Sequence, residues 1–172
     1  MPDPIIVDAP PRLSAKLQTV SLLYDLSSRL IASSTMEQAL DEILAAANLL
    51  HRAKQGRVQI LDPLRGHLEM VASRGFEPHI FDVIRPVKPG DRFASAQALS
   101  SRKPVVIEDV DRDEDYAPYR DKARAGGYRA MLAIPLISSG GELVGVLSTY
   151  FPKTHRPSRR EMRVECGAVS TV

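Results

Sequence analysis

Six acidic side chains fall within eight residues, Glu108-Asp109-Val110-Asp111-Arg112-Asp113-Glu114-Asp115. The alternate spacing of Asp109, Asp111 and Asp113 is that of a calcium loop. The match stops there. Such a loop needs Gly at its sixth position and a bidentate Glu at its twelfth, where this chain has Glu114 and Arg120, so the run reads as a solvated acidic turn. The four histidines, His51, His67, His79 and His155, form no i, i+4 pair and have no neighbouring Glu in a zinc-hydrolase pattern. Surface or hairpin positions are expected for them, and no metal site. Cys166 is the sole cysteine, so it can close no intrachain disulfide and supply no thiolate cluster. No GxSxG, GxGxxG or P-loop is present. The arginines at 156, 159, 160 and 163 with Lys153 lack interleaved aromatics and read as a solvated helix start, not a nucleic-acid surface.

The chain that must position these groups has 172 residues, enough for one core that buries about two thirds of the unfolded surface and too few for two ordinary domains. A net charge of +2, with 44% hydrophobic and 26% charged residues, excludes a nucleic-acid-coating protein and an acidic disordered tail. The longest apolar stretch, 130 to 137, is far short of the roughly 20 residues of a bilayer span, and the start MPDPIIVDAPP has no signal-peptide pattern. A cytoplasmic protein without membrane attachment is expected. Of nine aromatics, six (Phe76, Phe81, Phe93, Tyr116, Tyr119, Tyr128) lie between 76 and 128, where even scattering would place about three.

Residues 1–12 read as a flexible tail and 13–172 as one domain. A helix over 13–32 carries two stripes: Leu13, Leu17, Val20, Tyr24 and Ile31, and, roughly 120° round, Leu23, Leu26 and Leu30. The second stripe fits either a dimer partner or a broad face buried within one chain. Thr35 and Gln38 have capping-box spacing for a second helix with Met36, Leu40, Ile43, Leu44, Ala47 and Leu50 on its stripe. Gly56 is expected to end it. Strands at 57–62 and 67–73 then flank a Pro-Leu-Arg-Gly turn, and strands at 129–137 and 142–151 flank Ser-Ser-Gly-Gly. The last two are apolar on nearly every residue, as in a sheet covered on both faces. Along 143–151, Val144, Val146, Ser148 and Tyr150 form the more polar face, suited to a ligand, and Leu143, Leu147, Thr149 and Phe151 the face for helices. The long connection holds a strand at 104–107 and helices near 94–102 and 117–125. Connections of such length usually build something. A last helix opens at Ser158 and Glu161 and carries Met162, Cys166 and Val169.

Four segments, VASRGF (71–76), KPVVIEDVDRDEDY (103–116), GYRAMLAIPLISSGGELVGVLSTYF (127–151) and HRPSRRE (155–161), resemble the GAF domains. The resemblance implies an α+β, profilin-like fold: a central antiparallel sheet of five to six strands, terminal helices on one face, and the long connection as a lid over a small-molecule pocket on the other. It further implies a non-catalytic sensor module of bacterial signal transduction, two-component in type and attached to a histidine kinase. Kinase chemistry would need an output domain for which this length has no room. Ligand candidates are Phe76, Phe93, Asp109, Val110, Tyr116, Tyr119, Tyr128, Ser148 and Tyr150, with Asp109 the acid for a hydrogen bond to ligand; the ligand itself is unassigned. No cofactor is expected. Bilin attachment would need a cysteine in the connection, the reductases of this fold use several cysteines, and a haem could be held only through a histidine such as His79. Signalling through flanking helices requires a homodimer, with Leu23, Leu26 and Leu30 as its interface. Gly167 within a short last helix departs from the long apolar helix usual in the family and points to a truncated chain or a shortened gene product. A ligand-free dimerisation scaffold is the alternative, and a small redox enzyme of the same fold is a third.

Overall fold

The computed structural model describes residues 35–77, 87–138 and 140–158. The tail at 1–12, the helix over 13–32 with Leu23, Leu26 and Leu30, His79, Phe81, and the last helix with Cys166 lie outside the described residues.

Helix α1 (Met36–Leu50) starts where the Oγ1 of Thr35, in extended backbone, accepts from the Gln38 N–H at 3.2 Å, with Glu37 placed favourably in the positive first turn. Its stripe meets the sheet through Leu40, Leu44 and Ala47, packed on Val58 and Leu147. Met36, one turn before Leu40, is 74% exposed and does not join the stripe. The helix ends at His51, followed by Arg52 at φ 53°. Gly56 has a different task from the expected one. It lies inside strand β1 (Gln55–Asp62), where a Cβ would collide with Asn48 and Leu44 of α1. Glycine here permits close helix-on-strand packing and ends nothing.

Strand β2 (His67–Arg74) pairs antiparallel with β1 around a turn closed by Asp62, whose Oδ1 accepts from the N–H groups of Leu64 and Arg65. Helix α2 (Ala94–Ser101) and strand β3 (Val105–Ile107) follow, then a 3₁₀ turn (Ala117–Tyr119) running into helix α3 (Arg120–Ala125). Strands β4 (Ala130–Ile137) and β5 (Leu143–Phe151) form the second hairpin. The sheet order is β2-β1-β5-β4-β3, antiparallel throughout, and Val87 adds a single bridge to Leu68 of β2.

Both faces of the sheet are covered, as the unbroken apolar strands predict. On one, α1 packs over Val58 and Leu147. On the other, α2 and the β3–β4 connection pack over Met131, Ala133, Val146 and Tyr150. One detail differs from the expected alternation. The ladder slips between Leu136 and Ile137, leaving Val144 as the extra residue, 40% exposed, while Leu143 packs on the lid side.

Candidate functional site

The acidic run builds the lid's frame. Asp109 receives both Nε and a terminal nitrogen of Arg129 at 3.0 Å, accepts the Asp111 N–H, and has Arg112 at 3.6 Å. The bidentate Arg129 contact holds its carboxyl below the usual carboxylate range. Asp113 accepts the Tyr116 N–H at 2.9 Å, and Arg120 donates to the carbonyls of Val110 and Asp113, each at 3.0 Å. Arg120 thus clamps from outside a turn that directs Val110 and Tyr116 inward. Arginines face four of the six acids, Arg156 at Glu108, Arg129 at Asp109, Arg124 at Asp111 and Arg92 at Asp115, and Asp109 lines a cleft of about 740 Å³ with Val106, Glu108, Arg112, Asp113, Arg129 and Thr154. That places it apart from the aromatic cluster.

The remaining candidates come together. Val110, Tyr116 and Tyr150 are buried in one cluster, with Phe76, Phe93, Tyr119 and Tyr128 packed against it. Phe93 stacks on Tyr119 at 3.9 Å between centroids, while Phe76 and Tyr128 meet the Tyr150 ring at 5.0 and 4.7 Å in edge-on geometry. The phenols of Tyr116 and Tyr128 are hydrogen-bonded at 2.9 Å. Burial pushes the Tyr116 phenol well up, and Tyr150 to about 12 against the opposing pull of Arg57. At neutral pH all three inner phenols are uncharged.

Arg57 was not among the sequence candidates. It is only 8% exposed, on the lid side of β1, and its Nε donates to the Tyr150 phenol oxygen, with the guanidinium carbon 5.0 Å from that ring's centroid. Burial works against its charge, but the neighbouring phenols of Tyr150, Tyr128 and Tyr116, once ionised, more than offset burial, so its pKa stands above the ordinary guanidinium value. No carboxylate among the described residues pairs with it. Directly across the two ladders stand Ser148 on β5 and Ser73 on β2. The buried hydroxyls of both lack a well-formed hydrogen bond, although Ser148 lies near enough to Tyr150 to favour its ionised form. Two residues along β1, the side-chain oxygen of Gln59 is also buried without a partner. The signal was present in RVQILD: alternation puts Arg57 and Gln59 on one face and Val58 and Ile60 on the other. In a doubly covered sheet the polar face must be buried too.

Two histidines depart from the expected surface positions. His51 is 5% exposed with Nδ1 3.0 Å from Thr149 Oγ1, because the helix end drops onto β5. His155 stacks on Phe151 at 3.9 Å. Asp62, His67 and Glu69 bring ligand atoms within 4.8 Å of one another, but Arg65 bridges both acids across the hairpin turn.

The GAF domain family model matches residues 33–164. The chain belongs to the GAF domain family. Among curated proteins it is 32% identical over 65 residues to the methyl sulfide methyltransferase-associated sensor of Methanosarcina acetivorans, a match spanning 38% of this chain and only 6% of that protein. Among solved structures, this GAF domain superposes on one from a phosphoenolpyruvate-protein phosphotransferase of Coxiella burnetii, with a TM-score of 0.73, 19% identity and 89% of each chain covered. A domain of a two-component sensor histidine kinase protein from Sinorhizobium meliloti gives 0.64 at 21% identity, covering 80% of this chain and 88% of that one. The free methionine-R-sulfoxide reductase of Neisseria meningitidis, solved with its substrate, gives 0.71 at 17%, covering 94% and 88%. At these identities the likeness is one of fold, shared by sensors and an enzyme. No helix among the described residues is long and apolar enough to cross a membrane.

Proposed function

We propose that this GAF domain is the non-catalytic sensor of a cytoplasmic bacterial two-component protein linked to a histidine kinase. It binds a small molecule beneath the 76–128 connection and signals through flanking helices of a homodimer. The observation that carries the reading is the row Ser73, Arg57, Ser148 across three adjacent strands. A folded core gains little from burying a charge without a counter-ion and hydroxyls without partners. A ligand that satisfies them under an aromatic roof explains the arrangement. The route outward is short: Arg57 faces the lid, and Val58, the next residue, packs under Leu44 and Ala47 of α1. A ligand that draws β1 toward the lid biases α1, and through it the segment 13–32, whose sequence pattern reads as a helix carrying Leu23, Leu26 and Leu30. A non-catalytic role is supported by the single cysteine, Cys166, which has no intrachain partner for the disulfide that a thiol reductase must form and resolve.

A thermal-shift screen of the full chain with purines, amino acids and aromatic acids tests the reading, because a ligand selective for the folded state raises the melting temperature with its concentration. A second reading, a ligand-free dimerisation scaffold, is favoured by one observation: Tyr116, 1% exposed and bonded to Tyr128, fills much of the space under the lid. If nothing stabilises the protein and nothing co-purifies with it, that reading stands instead.

A further inference from the structure

Resting on the sensor reading, we infer that the ligand is a small carboxylate whose anionic group docks on Arg57 between the hydroxyls of Ser73 and Ser148, and whose far end offers a polar group to Gln59. Arg57 is the only buried guanidinium or ammonium among the described residues. One positive charge matches a carboxylate. A phosphate, at about −1.5 to −2, would bring a second negative charge into a site with nothing to meet it. The serines stand directly opposite Arg57 on both neighbouring strands, with Cβ atoms about 5 Å away, so their hydroxyls reach an oxygen held by the guanidinium. Gln59, 1% exposed with its side-chain oxygen unpartnered, lies two residues along the same face, roughly 6.6 Å further by the rise of a strand. Phe76, Tyr128 and Tyr150 meet edge-on at the Arg57 end, Tyr150 pairing with Gln55 on the side of Arg57 away from Gln59.

Isothermal titration of the full chain with para-hydroxybenzoate, benzoate, para-hydroxybenzamide and inorganic phosphate tests this. The expected result is binding of para-hydroxybenzoate, benzoate about tenfold weaker for the lost hydrogen bond, and no binding of the amide or phosphate. Arg57→Met abolishes binding. Ser148→Ala, which adds no volume to the core, weakens it by about tenfold. Amide or phosphate binding as tightly as the acid, or acid binding unchanged in both variants, overturns the inference and leaves the sensor reading standing. If no probe binds, the compound released by denaturing the purified protein decides. A carboxylate upholds the inference, a neutral or phosphorylated compound overturns it alone, and no released compound overturns it together with the sensor reading.

Discussion

Arg57 donates to the phenol oxygen of Tyr150 from the neighbouring strand, and that neutral phenol is the guanidinium's one hydrogen-bond partner among the described residues. The pair joins the lid-side face of the sheet to the aromatic cluster, since the same Tyr150 ring meets Phe76 and Tyr128.

Tyr150→Phe removes that acceptor and strands a buried charge. Losing one partner of a buried polar pair costs about 1–3 kcal/mol. Urea denaturation at pH 7 should show a loss in this range, while Tyr119→Phe, whose ring contacts with Phe93 and Tyr116 are kept, should stay within about 0.5 kcal/mol of the parent.

Alkaline titration separates the inner phenols from ordinary ones. Burial raises Tyr150 to about 12 from a reference of 10.0, so the fold favours its neutral form. That contribution is complete below pH 10 and is lost as the pH rises toward 12, by roughly 2–3 kcal/mol for a two-unit shift. Stability measured from pH 9 to 12 should fall more steeply in the parent than in Tyr150→Phe. Parallel curves would show that Tyr150 ionises freely in the folded protein.

At the acid end the sign is opposite. Asp109 is held below its ordinary value by Arg129, so its contribution is present above the unfolded carboxyl value and vanishes as the pH falls through the folded one. Asp109→Asn should therefore be less stable than the parent at pH 7, and the difference should shrink as the pH falls below the ordinary carboxyl range. A difference that persists at low pH would assign the loss to something other than the carboxylate's charge.

Two glycines test how closely β1 is packed, by α1 at Gly56 and by β5 at Gly145. A Cβ at Gly145 would run into the backbone carbonyl of Gln59, which the β1–β5 ladder fixes, whereas one at Gly56 meets the side chains of Asn48 and Leu44, which can move. Gly145→Ala should destabilise by about 2–3 kcal/mol and Gly56→Ala by about 1 kcal/mol. The reverse order in denaturant midpoints would mean that α1 is the more rigid neighbour.

Much of this architecture could be read from residue types. Thr35 capped its helix, the apolar runs of β4 and β5 announced a doubly covered sheet, and the five described aromatics between 76 and 128 do gather on one face. What escaped was set by tertiary contact. Gly56 resembled a terminator because the approach of α1 is not written locally. His51 resembled a surface residue because its partner, Thr149, is 98 positions away. Leu143 moved to the lid side and Val144 out of the ladder because a one-residue bulge shifts the alternation beyond it. Arg57 escaped because a lone arginine in a strand looks solvated until both faces of the sheet are known to be covered. Asp109 was expected to offer a ligand its carboxylate, but Arg129, 20 residues on, takes that charge at a cleft apart from the aromatic cluster.

The most direct measurement is mass spectrometry of what the purified full chain releases on denaturation, with Arg57→Met protein prepared in parallel. The account predicts a small carboxylate released from the parent and absent from the variant. The same compound in equal amount from both, or none from a parent that no compound stabilises, would contradict it.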